Sequence, residues 1–201
     1  NMKSVTAAEC AALAAFAILA QGDRVGGIVF GDTLLAEVRP ARSRRALNQF
    51  LAGLAEANQL LGPDAPNVEP QSINDVLRAV SRIAPRNHLV IVISDFDVID
   101  DQTDKLVSGL SRHNDLVLGL VTDPFADQLP ADAKLVISDG VLQASIDTAD
   151  SKVHRDLQNL AQARIGAILD WQRRFGVPVL ALNSAEDSLT QVRRLMGMGR
   201  R

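Results

Sequence analysis

The sequence predicts an α/β fold: a doubly wound, mostly parallel sheet with helices on both faces, an antiparallel edge strand and a small β-hairpin insertion. Three observations carry this. The stretch from His88 to Asp100, HLVIVISDFDVID, holds an uninterrupted strand-favouring run, Leu89–Ser94, that stops at an acidic cluster. A run without alternation reads as a strand buried on both faces, which needs covering helices. Strand-like and helix-like stretches then alternate along the chain, the pattern of a parallel sheet. Two short connections, Gly31–Thr33 and Ser138–Gly140, break that alternation and read as hairpins.

Taken in order, Met2–Gln21 is an Ala-rich helix, apolar round most of its circumference and stopped at Gly22 and Asp23. Arg24–Phe30 is a buried strand in which Gly26 and Gly27 permit a bulge or a close helix approach. Leu34–Val38 is its antiparallel edge partner. A helix follows over Ser43–Leu61, then a loop with three prolines, Gly62–Pro70. Ser72 and Asp75 have capping-box spacing and open a helix to Ile83. After the central strand, Asp100, Asp101 and Asp104 suit the start of a helix over Gln102–Arg112.

Asp115–Val121 is the next buried strand, and Leu135–Ile137 with Val141–Ile146 form the hairpin around Asp139-Gly140. A long helix covers Ser151–Phe175 and ends at Gly176. Val177–Leu182 is the last strand, where Pro178 suits a sheet edge. Ser184–Asp187 caps a final helix reaching Met196. Residues 1–201 read as a single domain.

Composition excludes several classes. Net charge is -3 with 3% aromatic residues, no Tyr and one Trp, so the chain lacks both the basic face and the stacking platforms of a nucleic-acid binder. The single cysteine, Cys10, fits a reducing compartment. The longest apolar run, Cys10–Ala20, is too short to span a bilayer. The expectation is a soluble, cytoplasmic chain without membrane insertion.

The chemistry-bearing motifs are few. Neither GxxxxGK[ST], GxGxxG nor GxSxG occurs, and the three histidines have no metal-ligand spacing. Asp95-Phe96-Asp97 resembles the paired aspartates of aspartyl-phosphate hydrolases, so a magnesium-dependent phosphohydrolase using Asp95 and Asp97 is the enzymatic alternative. Ile99 stands where that chemistry wants Thr or Val. Asp95, at the carboxyl end of the central strand, suits a magnesium ion, with Ser94 nearby and a neutral oxygen from Gln71 or Ser72. An N-cap alone also accounts for Ser72. Arg39–Arg45, RPARSRR, packs four arginines into seven residues. Arg42, Arg44 and Arg45 read either as a partner-docking patch or, more plainly, as a solvated helix entrance with loose ion pairs.

Three stretches, KSVTAAECAALAAFAILAQGDRVGGIVFGD, RPARSRRALNQFLAGL and HLVIVISDFDVID, resemble the domain of unknown function 58 family, whose members contain a von Willebrand factor A-like domain. The resemblance implies a Rossmann-like doubly wound fold and a binding role without catalysis. It also implies work with a MoxR-type AAA+ ATPase or its client protein. By analogy, Asp95 matches the aspartate of a metal-ion-dependent adhesion site, and Gln71 or Ser72 falls where a Thr is usual. The Asp-x-Ser-x-Ser loop has no counterpart, so the chain looks truncated before the family's first strand and the site incomplete. Magnesium is the ion implied for the full-length protein, and none is expected here. The strands Arg24–Phe30 and His88–Ser94 would then pair directly, or a homodimer would form over the gap between them.

Overall fold

The computed structural model describes residues 2–31, 33–60, 72–124, 134–138, 143–147 and 151–195, with the backbone path alone for 134–138, 143–147 and 151–161. The described elements run α1 (Lys3–Ala20), β1 (Val25–Phe30), β2 (Leu34–Ala41), α2 (Arg44–Gln59), α3 (Ile73–Ile83), β3 (Leu89–Ser94) and α4 (Asp101–Ser111). They continue with β4 (Asp115–Thr122), β5 (Lys134–Ser138), β6 (Gln143–Asp147), α5 (Ser151–Phe175), β7 (Val179–Asn183) and α6 (Ser188–Leu195).

The architecture is mixed α/β. A parallel sheet has the order β3-β4-β7, and β1-β2 and β5-β6 are separate antiparallel pairs. Leu89 to Ser94 pair in unbroken register with Asp115 to Leu120, and Leu118 to Thr122 pair with Val179 to Asn183. β7 is an edge strand, and Pro178 just ahead of it costs no ladder bond, since its carbonyl accepts from the Leu118 N–H. Of the acidic hairpin signal, both arms lie where expected, while Asp139 and Gly140 fall outside the described residues. So do the proline-rich loop Gly62–Pro70 and Gln71.

Alternation along β4 sends side chains to two cores. Leu116, Leu118 and Leu120 join Val90, Val92, Phe96, Leu77, Val107, Ile168 and Trp171 beneath α3, α4 and α5. Val121 turns the other way, toward Leu182 and Cys10 under α1 and α6. A third core, of Ala15, Val25, Val29, Leu47 and Phe50, belongs to α1, α2 and the β1–β2 pair. The amphipathic spacing of α2 supplies its share, with Ala46, Leu47, Phe50 and Gly53 buried. Cys10 is buried, and burial raises its thiol pKa, as expected of an unreactive core residue.

One expectation fails here, and of the two outcomes expected for the strands β1 and β3 the direct pairing is not seen. β3 is not buried on both faces: Leu89 is 54% exposed and Ile91 37%. Nor do β1 and β3 pair directly, since they belong to different sheets. Helix α1 touches both β1 and β3, and α3 touches β1. β3 has a ladder partner on one side only. The eleven-residue run Cys10–Ala20 also lies inside a longer helix. By length and composition alone, the 18-residue α1 is long and apolar enough to cross a membrane.

Candidate functional site

The carboxyl end of β3 is built by local chain chemistry. The Ser94 hydroxyl accepts from the Phe96 N–H at 3.0 Å, turning the chain out of the strand. Phe96 then takes φ 50°, a left-handed conformation rare for a bulky side chain. It is retained because the ring is buried, edge-on to Trp171 with centroids 6.1 Å apart. The turn leaves Asp95 and Asp97 near the surface while Phe96 anchors them. Neither carboxylate is free. Asp95 Oδ2 lies 2.5 Å from Lys3 Nζ at the start of α1, and Asp97 pairs with Arg164 of α5.

The next residues fasten three elements together. Asp100 caps α4, its Oδ1 accepting from the Gln102 and Thr103 N–H groups at 2.9 Å while Thr103 Oγ1 accepts from the Asp100 N–H. Asn74, in the first turn of α3, donates to Asp100 Oδ1 at 3.0 Å and accepts from Thr103 Oγ1 at 2.8 Å. The helix starts of α3 and α4 are thus locked side by side at the strand end. Of the three aspartates suggested for this cap, Asp100 performs it, and Asp101 and Asp104 lie in the first turn, where they favour the helix dipole.

These bonds, from the Thr103 N–H first and the Asn74 amide second, hold the Asp100 pKa down from 3.8 to about 2. A depressed carboxyl pKa contributes stability that is complete above the ordinary value and lost as pH falls through the folded one. Asp100→Asn keeps a capping side chain and removes the charge. Its stability deficit against the parent should be constant above about pH 5 and shrink toward zero by about pH 2. Urea midpoints for both proteins across that range test it; a deficit independent of pH would show that the charge is irrelevant.

The structure places the expected metal residues unevenly. Ser72 is the N-cap of α3, its Oγ accepting from the Asn74 N–H at 3.2 Å. It shares a cleft with Asp95, whereas Gln71 lies outside the described residues. Among the described residues no three His, Cys, Asp or Glu side chains gather as a metal would need. With an ammonium group on Asp95 and a capping hydroxyl at Ser72, these two described residues do not fit a magnesium shell. Calorimetric titration with magnesium and manganese at moderate ionic strength should therefore give no saturable micromolar isotherm. Such an isotherm, abolished by Asp95→Ala, would overturn this.

Arg42, Arg44 and Arg45 are exposed and make no ion pair among the described residues. Arg44 and Arg45 sit in the first turn of α2, where cations oppose the helix dipole. The loose ion pairs expected of a solvated helix entrance are not seen for these arginines among the described residues.

The gap expected between the strands Arg24–Phe30 and His88–Ser94 is present as a cleft of about 1640 Å³ between β1 and β3. Ala7, Ala11 and Ile18 of α1 line one face and Ile73, Val76 and Val80 of α3 the other. Leu89 and Ile91 stand along the β3 edge, and Asp95 and Asp97 at its carboxyl end. Sequence reasoning missed the Lys3–Asp95 pair, which spans 92 positions and leaves no local signal. No curated protein and no solved structure matches the chain. The model of the family described as "Protein of unknown function DUF58" matches residues 1–165, and the chain belongs to that family.

Proposed function

We propose that this chain is a non-enzymatic protein-interaction module of the von Willebrand A kind, acting with a MoxR-type AAA+ ATPase or its client protein. The observation that carries the reading is the apolar cleft opening beside the strand-end carboxylates, a concave surface beside which no nucleophile–base pair stands among the described residues. On this reading the β3-β4-β7 sheet and the β1–β2 pair are two parts of one doubly wound sheet with the cleft between them. The exposed Arg42, Arg44 and Arg45 supply a basic docking patch beside it. The phosphohydrolase alternative would need Asp95 and Asp97 to act as nucleophile and acid, and both are held in ion pairs.

Gel filtration of the purified chain with a MoxR-type ATPase, with and without magnesium and nucleotide, tests the reading. Co-elution is expected in at least one nucleotide state. Replacing Arg42, Arg44 and Arg45 by Glu should weaken it about tenfold, since complementary charge steers association. Absence of association in every state counts against the proposal. Magnesium-dependent phosphate release lost in Asp95→Asn would replace it by the enzymatic reading.

A further inference from the structure

The β1–β2 register gathers arginines that are far apart in the sequence. Val25 pairs with Ala41, so Arg24 and Arg42 leave the ladder side by side at the same end. Arg39 stands just before them on β2, at the register shift, and Arg44 and Arg45 open α2 just beyond. All five are exposed. Among the described residues, no carboxylate forms an ion pair with any of them.

The fold gains nothing from this arrangement. Like charges held this close repel one another. The first turn of α2 holds no acidic residue, and its two cations oppose the helix dipole. The cap of α2 is made by Ser43, which accepts from the Ala46 N–H and needs neither arginine. Nor does the cluster follow from a basic composition, since the net charge of the chain is -3.

We infer that Arg24, Arg39, Arg42, Arg44 and Arg45 form the seat of a short acidic segment of a partner protein, whose carboxylates supply the missing counter-charges. This rests on the reading of the chain as an interaction module and names the chemistry of what docks there. A guanidinium takes a carboxylate through two parallel hydrogen bonds, and an anion at this place relieves both the repulsion and the opposed dipole. The margins of the patch decide between polyanions. Exposed Asp23 adjoins Arg24, and exposed Glu37 lies two residues before Arg39. A membrane plane or a long phosphate polymer would be laid across those carboxylates, whereas a segment of a few acidic residues stays within the arginines.

The test titrates the whole chain into an octaglutamate peptide labelled with fluorescein at its amino end, read by fluorescence anisotropy. A saturable isotherm is expected, weakening about tenfold between about 50 and about 200 mM salt. Arg44→Glu combined with Arg45→Glu should weaken binding by about tenfold or more. The same pair should raise the melting temperature of the free chain by about 2 °C, because acids at these positions suit the dipole. Binding and stability thus move in opposite directions, which a folding defect cannot imitate. Arg24→Ala, remote in sequence, should weaken binding about threefold. Lys105→Glu combined with Arg112→Glu makes the same change in net charge at exposed positions of α4 and its C-cap, a helix packed against α3, α5 and β4. That control should stay within about twofold of the parent. No isotherm, equal losses from the two charge-reversed pairs, parent-like binding by Arg24→Ala, or a melting temperature lowered by Arg44→Glu with Arg45→Glu overturns the inference. So does binding of tripolyphosphate or of phosphatidylglycerol vesicles without binding of the peptide, which would assign the arginines to phosphate groups. The ATPase is absent from these titrations, so peptide binding without co-elution would sink the ATPase reading and leave the seat standing.

Discussion

Replacing Trp171 by Ala is expected to cost about 3–5 kcal/mol, enough to bring a domain of ordinary stability close to unfolding at room temperature. The side chain is 1% exposed and is the largest of the fully buried ones. It packs among Leu77, Val107, Leu118 and Ile168, the residues through which α3, α4 and α5 close over the parallel sheet. Its indole N–H donates to Asp104 Oδ1 at 2.5 Å, and Asp104 also holds Arg174 at 2.6 Å. The truncation therefore opens a cavity and withdraws a donor from a carboxylate at once. Trp171→Phe fills most of the cavity and leaves Asp104 its arginine, so a loss of about 1–2 kcal/mol is expected there. The consequence reaches the candidate site, because Phe96 is held in its left-handed conformation against this ring and Asp95 and Asp97 flank it. Trp171 is the only tryptophan, so unfolding must be followed by far-ultraviolet circular dichroism. A Trp171→Ala protein within 1 kcal/mol of the parent would show that the core closes by other contacts.

Local signals carried most of the elements. The strand Leu89–Ser94 and the helix Ser151–Phe175 lie where run length and flanking residues put them, and Ser72 caps α3. Asp187 similarly accepts from the Thr190 N–H at 2.8 Å at the start of α6. Each of these depends on residues within a few positions of one another. β2 runs on past Val38 to Ala41, through Pro40, which stands opposite Gly26 at the register shift between Val25 and Gly27, where a bulge tolerates the missing N–H. What pattern could not supply was pairing at a distance. An apolar run looks the same whether one neighbour lies beside it or two, so the half-exposed β3 and the cleft had no signature in Leu89–Ser94. The contact of Lys3 with Asp95 likewise depends on how α1 lies across the sheet. The expectation for Gly26 and Gly27, a bulge or a close helix approach, was specific enough to be met by both residues.

Gly26→Ala is the change expected to disrupt the β1–β2 pair while sparing the parallel sheet. A methyl group at this position would lie 2.5 Å from the Val38 carbonyl oxygen, 2.6 Å from Pro40 N and 2.8 Å from the Arg39 carbonyl carbon. All three are backbone atoms at the register shift between Val25 and Gly27, so no side-chain rotation relieves the contact. Overpacking against yielding side chains costs about 1–3 kcal/mol, and a clash with fixed backbone should reach the upper end of that range. Gly27 is different: its methyl group would meet the Phe50 ring at 2.4 Å, displacing a side chain of α2 and leaving the hairpin ladder alone. The core formed by Ala15, Val25, Val29, Leu47 and Phe50 is distinct from the one under the parallel sheet. The damage of Gly26→Ala should therefore appear first as lost amide protection in 25–60, while β3, β4 and β7 keep theirs. Uniform loss of protection across both parts would mean that they unfold together, and a Gly26→Ala protein as stable as the parent would mean that the hairpin can shift its register to admit the methyl group.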